Sequence, residues 1–216
     1  PANRARLLVK CKLSCALLVV FLWGALLTQG LLAQSASQPK TSVVDSAGEP
    51  GVGNSVRQQG EIFESQKQWG EALALYQNAL KANPDDRTLQ LKRAFARIHF
   101  DLDRRYADTS FIKTIKSTDA NTSMNVYAEV LLKIQSYYVD DPNWANIVNY
   151  GLTSLKVAMQ SDGFRQINLP TVSKESALEV YLQAEQRLSN VSVRSRNDAF
   201  TVARETASFL NQQCGM

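Results

Sequence analysis

The sequence is poor in the side chains that do chemistry. It has one histidine, His99, and three cysteines, Cys11, Cys15 and Cys214, in 216 residues. Neither H-E-x-x-H nor C-x-x-C occurs, so the compact ligand spacings that hold zinc are missing. No metal and no cofactor is expected. Gly51-Val52-Gly53 is the nearest approach to a glycine-rich loop, but no strand precedes it, so it does not read as a phosphate cradle. His99 lies in Ile98-His99-Phe100 beside an apolar face and reads as a packed side chain. Asp85-Asp86 and Asp140-Asp141 each adjoin a turn and read as solvated caps. Strand patterning is missing as well.

A basic surface is also lacking. Four of the 24 Lys and Arg residues (Arg4, Arg6, Lys10 and Lys12) fall in the first 35 residues, which hold no Asp or Glu. The remaining 20 basic residues face 20 acidic ones. The net charge of +4 belongs to this leader, and no basic stripe for nucleic acid is visible beyond it. The same partition removes Cys11 and Cys15, so Cys214 has no intramolecular disulfide partner in a processed chain. The fold must rest on burial, for which about 160 residues suffice.

What is present begins with that leader. Four cations precede an apolar run from Leu13 to Leu27, and Ala33-Gln34-Ser35-Ala36-Ser37 follows. A basic, then apolar, then small-residue layout is that of a secretory signal peptide, here residues 1–37. Left uncleaved, residues 13–32 would anchor the chain, since a helix of about twenty residues crosses an ~30 Å core. That is the only membrane contact expected. Either way the rest is expected to be exported, periplasmic or associated with the cell envelope.

Residues 38–54 read as a flexible linker, rich in Ser, Gly, Pro and Asp, with order beginning near Ser55. Two helical patterns then meet at Lys67-Gln68-Trp69. Gly60, Phe63, Ala72, Tyr76, Ala79 and Pro84 have a common physical logic. Gly60 admits a neighbouring helix, and Ala72 and Ala79 keep the contact face small. Phe63 and Tyr76 fill the space between the two rods, and Pro84 stops the second. Their spacing resembles the tetratricopeptide repeat, a helix–turn–helix unit of about 34 residues, over residues 53–86. A degenerate second copy follows, with helices over Thr88–Asp101 and about Arg104–Ile115, closing a region of hairpins at 55–116.

The resemblance implies a concave groove that takes an extended peptide. Its groove positions fall on Asn54, Arg57, Glu61 and Glu64, and one repeat later on Thr88, Leu91, Phe95 and Ile98. Versions that grip a free C-terminal carboxylate carry Asn where Glu61 stands, so that ligand is not expected.

From 117 to 216 a helical bundle is predicted. One helix runs over Met124–Tyr138 and a second opens at Pro142 and ends near Ser161-Asp162-Gly163, followed by a loop over Phe164–Val172. A third starts at Ser173. A fourth starts at Ser195, where Asp198 three residues on completes a capping-box pattern, and ends near Gly215. The class is therefore all-α: eight helices, hairpins continued by a bundle, after an N-terminal signal or anchor helix.

The run Ala128–Asp140, ending Tyr137-Tyr138-Val139-Asp140, is similar to the helix before the protease core of C-terminal processing peptidases. Ile147–Met159 fits the helix that follows, and Arg105-Tyr106-Ala107-Asp108 and Asn211–Met216 resemble the helical extension of exported members. The resemblance implies a serine peptidase with a Ser–Lys dyad and often a PDZ domain. No residue here matches either, so no catalytic residue is assigned. The expected function is a non-catalytic region that binds protein or peptide or positions a neighbouring domain, as the helical N-terminal part of such a peptidase. The alternative is a stand-alone tetratricopeptide adaptor of the cell envelope.

Overall fold

The computed structural model describes residues 52–137 and 140–214, with side chains from Ser55 onward. The leader at 1–37, most of the linker, Tyr138-Val139 and Gly215-Met216 lie outside the described residues. Among those described there are nine helices and no strand, so the protein is all-α. They divide between Arg105 and Tyr106 into two compact units.

The first unit is built on helices α1 (Val52–Ser65), α2 (Trp69–Ala82) and α3 (Arg87–Tyr106). Helix α1 begins three residues inside the expected linker. It ends in a tight reversal at Lys67, which takes the left-handed conformation with φ 57°. The Gln68 amide donates to the Phe63 carbonyl at 2.8 Å, and the Lys67 amide to the Glu64 carbonyl at 3.0 Å. This pair of bonds is a Schellman closure, and it turns the chain back within three residues. Ala72, Leu73, Tyr76, Leu80, Leu89 and Ala96 form the buried core, with Val56, Phe63, Trp69, Ala79 and Phe100 packed around it. Pro84 lies exposed in the turn beyond α2.

The second unit holds α4 (Thr109–Ser117), α5 (Ala120–Tyr137), α6 (Trp144–Gln160), α7 (Asp162–Asn168), α8 (Lys174–Leu188) and α9 (Arg196–Gln213). Side-chain caps set the starts of all six, and at α5 the Thr122 amide donates to the Asp119 carboxylate at 2.9 Å. Asp108, Asn143, Ser161, Ser173 and Ser195 each accept a backbone N–H from the first turn, satisfying donors that have no partner inside the helix. Ser195 and Asp198 form a reciprocal capping box. Helix α9 packs on α5, α6 and α8, and α8 also packs on α6. Ala199, Ala203 and Ala207 recur every four residues along the buried stripe of α9 and allow the close approach. Tyr127, Leu131, Leu155, Met159, Phe164 and Tyr181 fill the interior.

Two expectations are corrected. The helix predicted from Arg104 does not exist as one piece: α3 continues to Tyr106, and a new helix starts at Thr109 behind the Asp108 cap. The loop predicted over Phe164–Val172 is helical as far as Asn168. Ser161 starts this short helix, and fully buried Phe164 pins it down. The Asn168 amide donates to the Tyr106 hydroxyl and to the Phe164 carbonyl, both at 2.8 Å.

Candidate functional site

The sequence-predicted groove residues fall on α1 and α3 of the first unit. Asn54 lies in the first turn of α1, and Arg57, Glu61 and Glu64 follow at helical spacing. The structure spends most of this charge internally. Arg57 donates to Asp86 at 3.0 Å, and Asp86 also accepts the Leu89 amide at 3.0 Å, capping α3. The Leu89 amide and the Arg57 guanidinium together hold the Asp86 carboxyl below its ordinary range.

Glu64 ties three helices together. Its own helix is α1. It accepts the Tyr76 hydroxyl of α2 at 2.8 Å and the Lys92 ammonium of α3 at 2.9 Å. Lys92 reaches Glu61 more loosely, at 3.5 Å. Burial pulls the Lys92 ammonium down, but Glu64 and Glu61 outweigh it and hold it above the usual lysine value. Burial, reinforced by the Glu64 and Glu61 charges, pushes the Tyr76 phenol well above its ordinary value. Glu61 is 62% exposed where Glu64 is 15%, so Glu61 is the carboxylate that a partner could meet.

On α3 the predicted positions separate sharply. Leu91 is 73% exposed and Phe95 37%, whereas Ile98 is 3% exposed and belongs to the interior. Thr88 is exposed one turn before Leu91. Leu91 and Phe95, four residues apart, thus present an apolar strip beside the Glu61–Lys92–Glu64 cluster.

Three residues around this strip were not anticipated from sequence: Lys92, Trp69 and His99 as its support. Trp69 opens α2 and stacks on His99 of α3, ring centroids 3.8 Å apart and planes at 12°. Phe95 stands edge-on to both, at 5.9 Å from Trp69 and 4.6 Å from His99. Trp69 and His99 are thirty residues apart, so no local pattern in the sequence joins them. Burial, with the Lys67 charge adding to it, lowers the His99 imidazole from 6.5 to about 4.

The packing residues occupy the hairpin itself. Gly60 and Ala72 are buried, Tyr76 is fully buried, and Phe63 and Ala79 are half-buried against them. A methyl group built at Gly60 would overlap the Tyr76 hydroxyl and ring. Among the described residues no three His, Cys, Asp or Glu side chains are grouped to hold a metal ion, and no helix is long and apolar enough to cross a membrane.

No protein-family model matches the chain, and comparison with curated proteins and with solved structures finds no match.

Proposed function

We propose that residues 52–105 form a tetratricopeptide-type unit that docks an extended segment of protein or peptide across α1 and α3, in an exported protein. The observation that carries this reading is the Leu91–Phe95 strip, apolar and open to solvent beside a fixed charge cluster. Large apolar side chains exposed together beside polar anchors are the makeup of a recognition surface. Glu61 and Lys92 offer the backbone amides and carbonyls of a ligand one acceptor and one donor. The apolar strip takes a side chain.

We further propose that the chain is the helical N-terminal part of a C-terminal processing serine peptidase. The resemblance of α5 and α6 to the helices ahead of that protease core supports this. Its role is then to position or recruit, with catalysis supplied by residues outside this sequence. A reading frame that continues past Met216 into strands and a Ser–Lys pair would support that parentage, whereas a stop codon there would favour the adaptor.

The docking test uses a panel of extended peptides bearing an aliphatic or aromatic side chain, titrated against the full chain at neutral pH. Binding should shift the Leu91 methyl and Phe95 ring resonances and be abolished by Leu91→Asp or Phe95→Ala. Leu182→Asp, at an exposed leucine of α8, should leave it intact. Binding that ignored both α3 substitutions would place the surface elsewhere.

A further inference from the structure

The imidazole of His99 sits where only its neutral form is comfortable. It lies flat on the Trp69 indole, with the Phe95 ring edge-on to it. Its Nε2 is buried without a hydrogen-bond partner. A neutral ring tolerates one unfilled lone pair there. Protonation would turn that atom into a charged donor with nothing to receive it, which costs far more. The surrounding groups reinforce this. Lys67, on the turn between α1 and α2, opposes a second positive charge. Asp103 lies one turn further along α3; burial pushes its carboxyl up, and Lys67 pulls it back down. From α2 the facing group is the Trp69 indole, and from α3 itself the Phe95 ring.

We propose that His99 is an acid-operated latch for the Phe95 face. Protonation draws the imidazole out of the stack toward water, and the Phe95 ring, which leans on it, leaves the position in which it is presented to a partner. The consequence for binding rests on the docking reading of that face, whereas the ring movement does not. The partner is then held at neutral pH and released in acid. One aromatic trio supplies both the platform and its control.

Because His99 is the chain's only histidine, a full chain carrying labelled histidine gives one imidazole signal to follow with pH. The expected midpoint lies below pH 5, with the Trp69 indole and Phe95 ring resonances moving in step. A midpoint near 6.5, or a protonation that leaves both rings in place, would overturn the proposal. Asp103→Asn must preserve the transition; its loss would make the carboxyl the trigger and overturn it too. A peptide that binds at neutral pH should lose about tenfold in affinity one pH unit below the midpoint, as the competent fraction falls. His99→Phe, which keeps a stacked ring without a titratable group, should hold its affinity over that range. Equal pH dependence in both proteins would sink the latch. If no peptide binds at neutral pH, the docking reading fails, and the ring resonances still decide the latch.

Discussion

The Tyr76 ring lies directly against the α-carbon of Gly60, and its hydroxyl donates to Glu64 one turn further along the same helix. This one contact sets the separation of α1 and α2. The ring occupies the volume that any side chain at position 60 would need. The buried phenol meanwhile has its polar end satisfied by a carboxylate that also holds Lys92 of α3. Tyr76 is thus both the spacer of the hairpin and its link to the third helix.

Gly60→Ala should therefore destabilise the first unit, although alanine is the better helix former by about 1 kcal/mol. Overpacking a closed contact costs about 1–3 kcal/mol, and here the obstacle is a fully buried ring rather than a flexible tip. A lower midpoint in urea unfolding is expected. Gly70→Ala is the control: its added methyl would sit at ordinary contact distance, 3.4 Å, from Phe100, and stability should hold or rise. Equal behaviour of the two variants would mean that the close approach at Gly60 is not what spaces the helices.

Tyr76 itself can be dissected. Truncation to alanine empties a buried aromatic site and should cost about 3–5 kcal/mol. Tyr76→Phe keeps the ring and removes only the hydroxyl, whose bond to an ionised carboxylate is worth about 1.5–3 kcal/mol. Glu64 keeps Lys92 as a partner, so the lower end is expected. Calorimetric unfolding of the two variants ranks the effects. A loss under about 1 kcal/mol for Tyr76→Ala would mean the hairpin is misassigned.

Much of this hairpin was legible because its determinants are local and of unusual type. Gly60, Ala72 and Ala79 are small where helices meet; in the second unit the Ser195–Asp198 box that starts α9 is likewise written within four residues. The short helix α7 was not legible. Seven residues are too few to show a period, and Gly163 and Pro170 both argue for a loop. Beyond the Ser161 cap, its support is distant: Tyr106, whose Cβ would lie 3.1 Å from a methyl at Gly163 and whose ring meets Phe164. The candidate site divides in the same way. Leu91 and Ile98 lie two turns apart on nearly one line of α3, so periodicity alone cannot tell the exposed one from the buried one. The Trp69–His99 stack depends on tertiary approach, and nothing in either segment announces it.

Lys67 gives a prediction of opposite sign. A lysine held at φ 57° bears the left-handed backbone cost, about 1–2 kcal/mol, that glycine escapes. Lys67→Gly should raise stability by about 1 kcal/mol or less, because glycine also frees the unfolded chain. It should have a second effect. Removing the charge that opposes His99 moves the imidazole midpoint upward, though only slightly, since burial is the larger cause. Denaturant unfolding reads the first effect and the histidine resonance the second. A destabilised variant would show that Lys67 holds the turn through its side chain.

The pH dependence of stability carries the sign of the His99 shift. Its folded midpoint, about 4, lies below the ordinary 6.5. Between those values the unfolded chain binds a proton that the folded chain refuses, so stability must rise with pH across that window. The contribution of neutral His99 is complete above pH 6.5. It drains away as the solution is acidified toward pH 4. Carboxyls held low, such as Asp86 at the start of α3, favour the folded state in their ionised form and lose that advantage only as pH falls further, through their folded values. Asp103, pushed upward by burial, works in the opposite direction and partly offsets the histidine. The clean comparison is therefore wild type against His99→Phe. Urea midpoints measured from pH 7 to pH 4.5 should diverge, with the wild type falling and the phenylalanine variant nearly level. Parallel curves would mean that the imidazole is hydrated in the folded protein and that the stack with Trp69 does not exclude its charge.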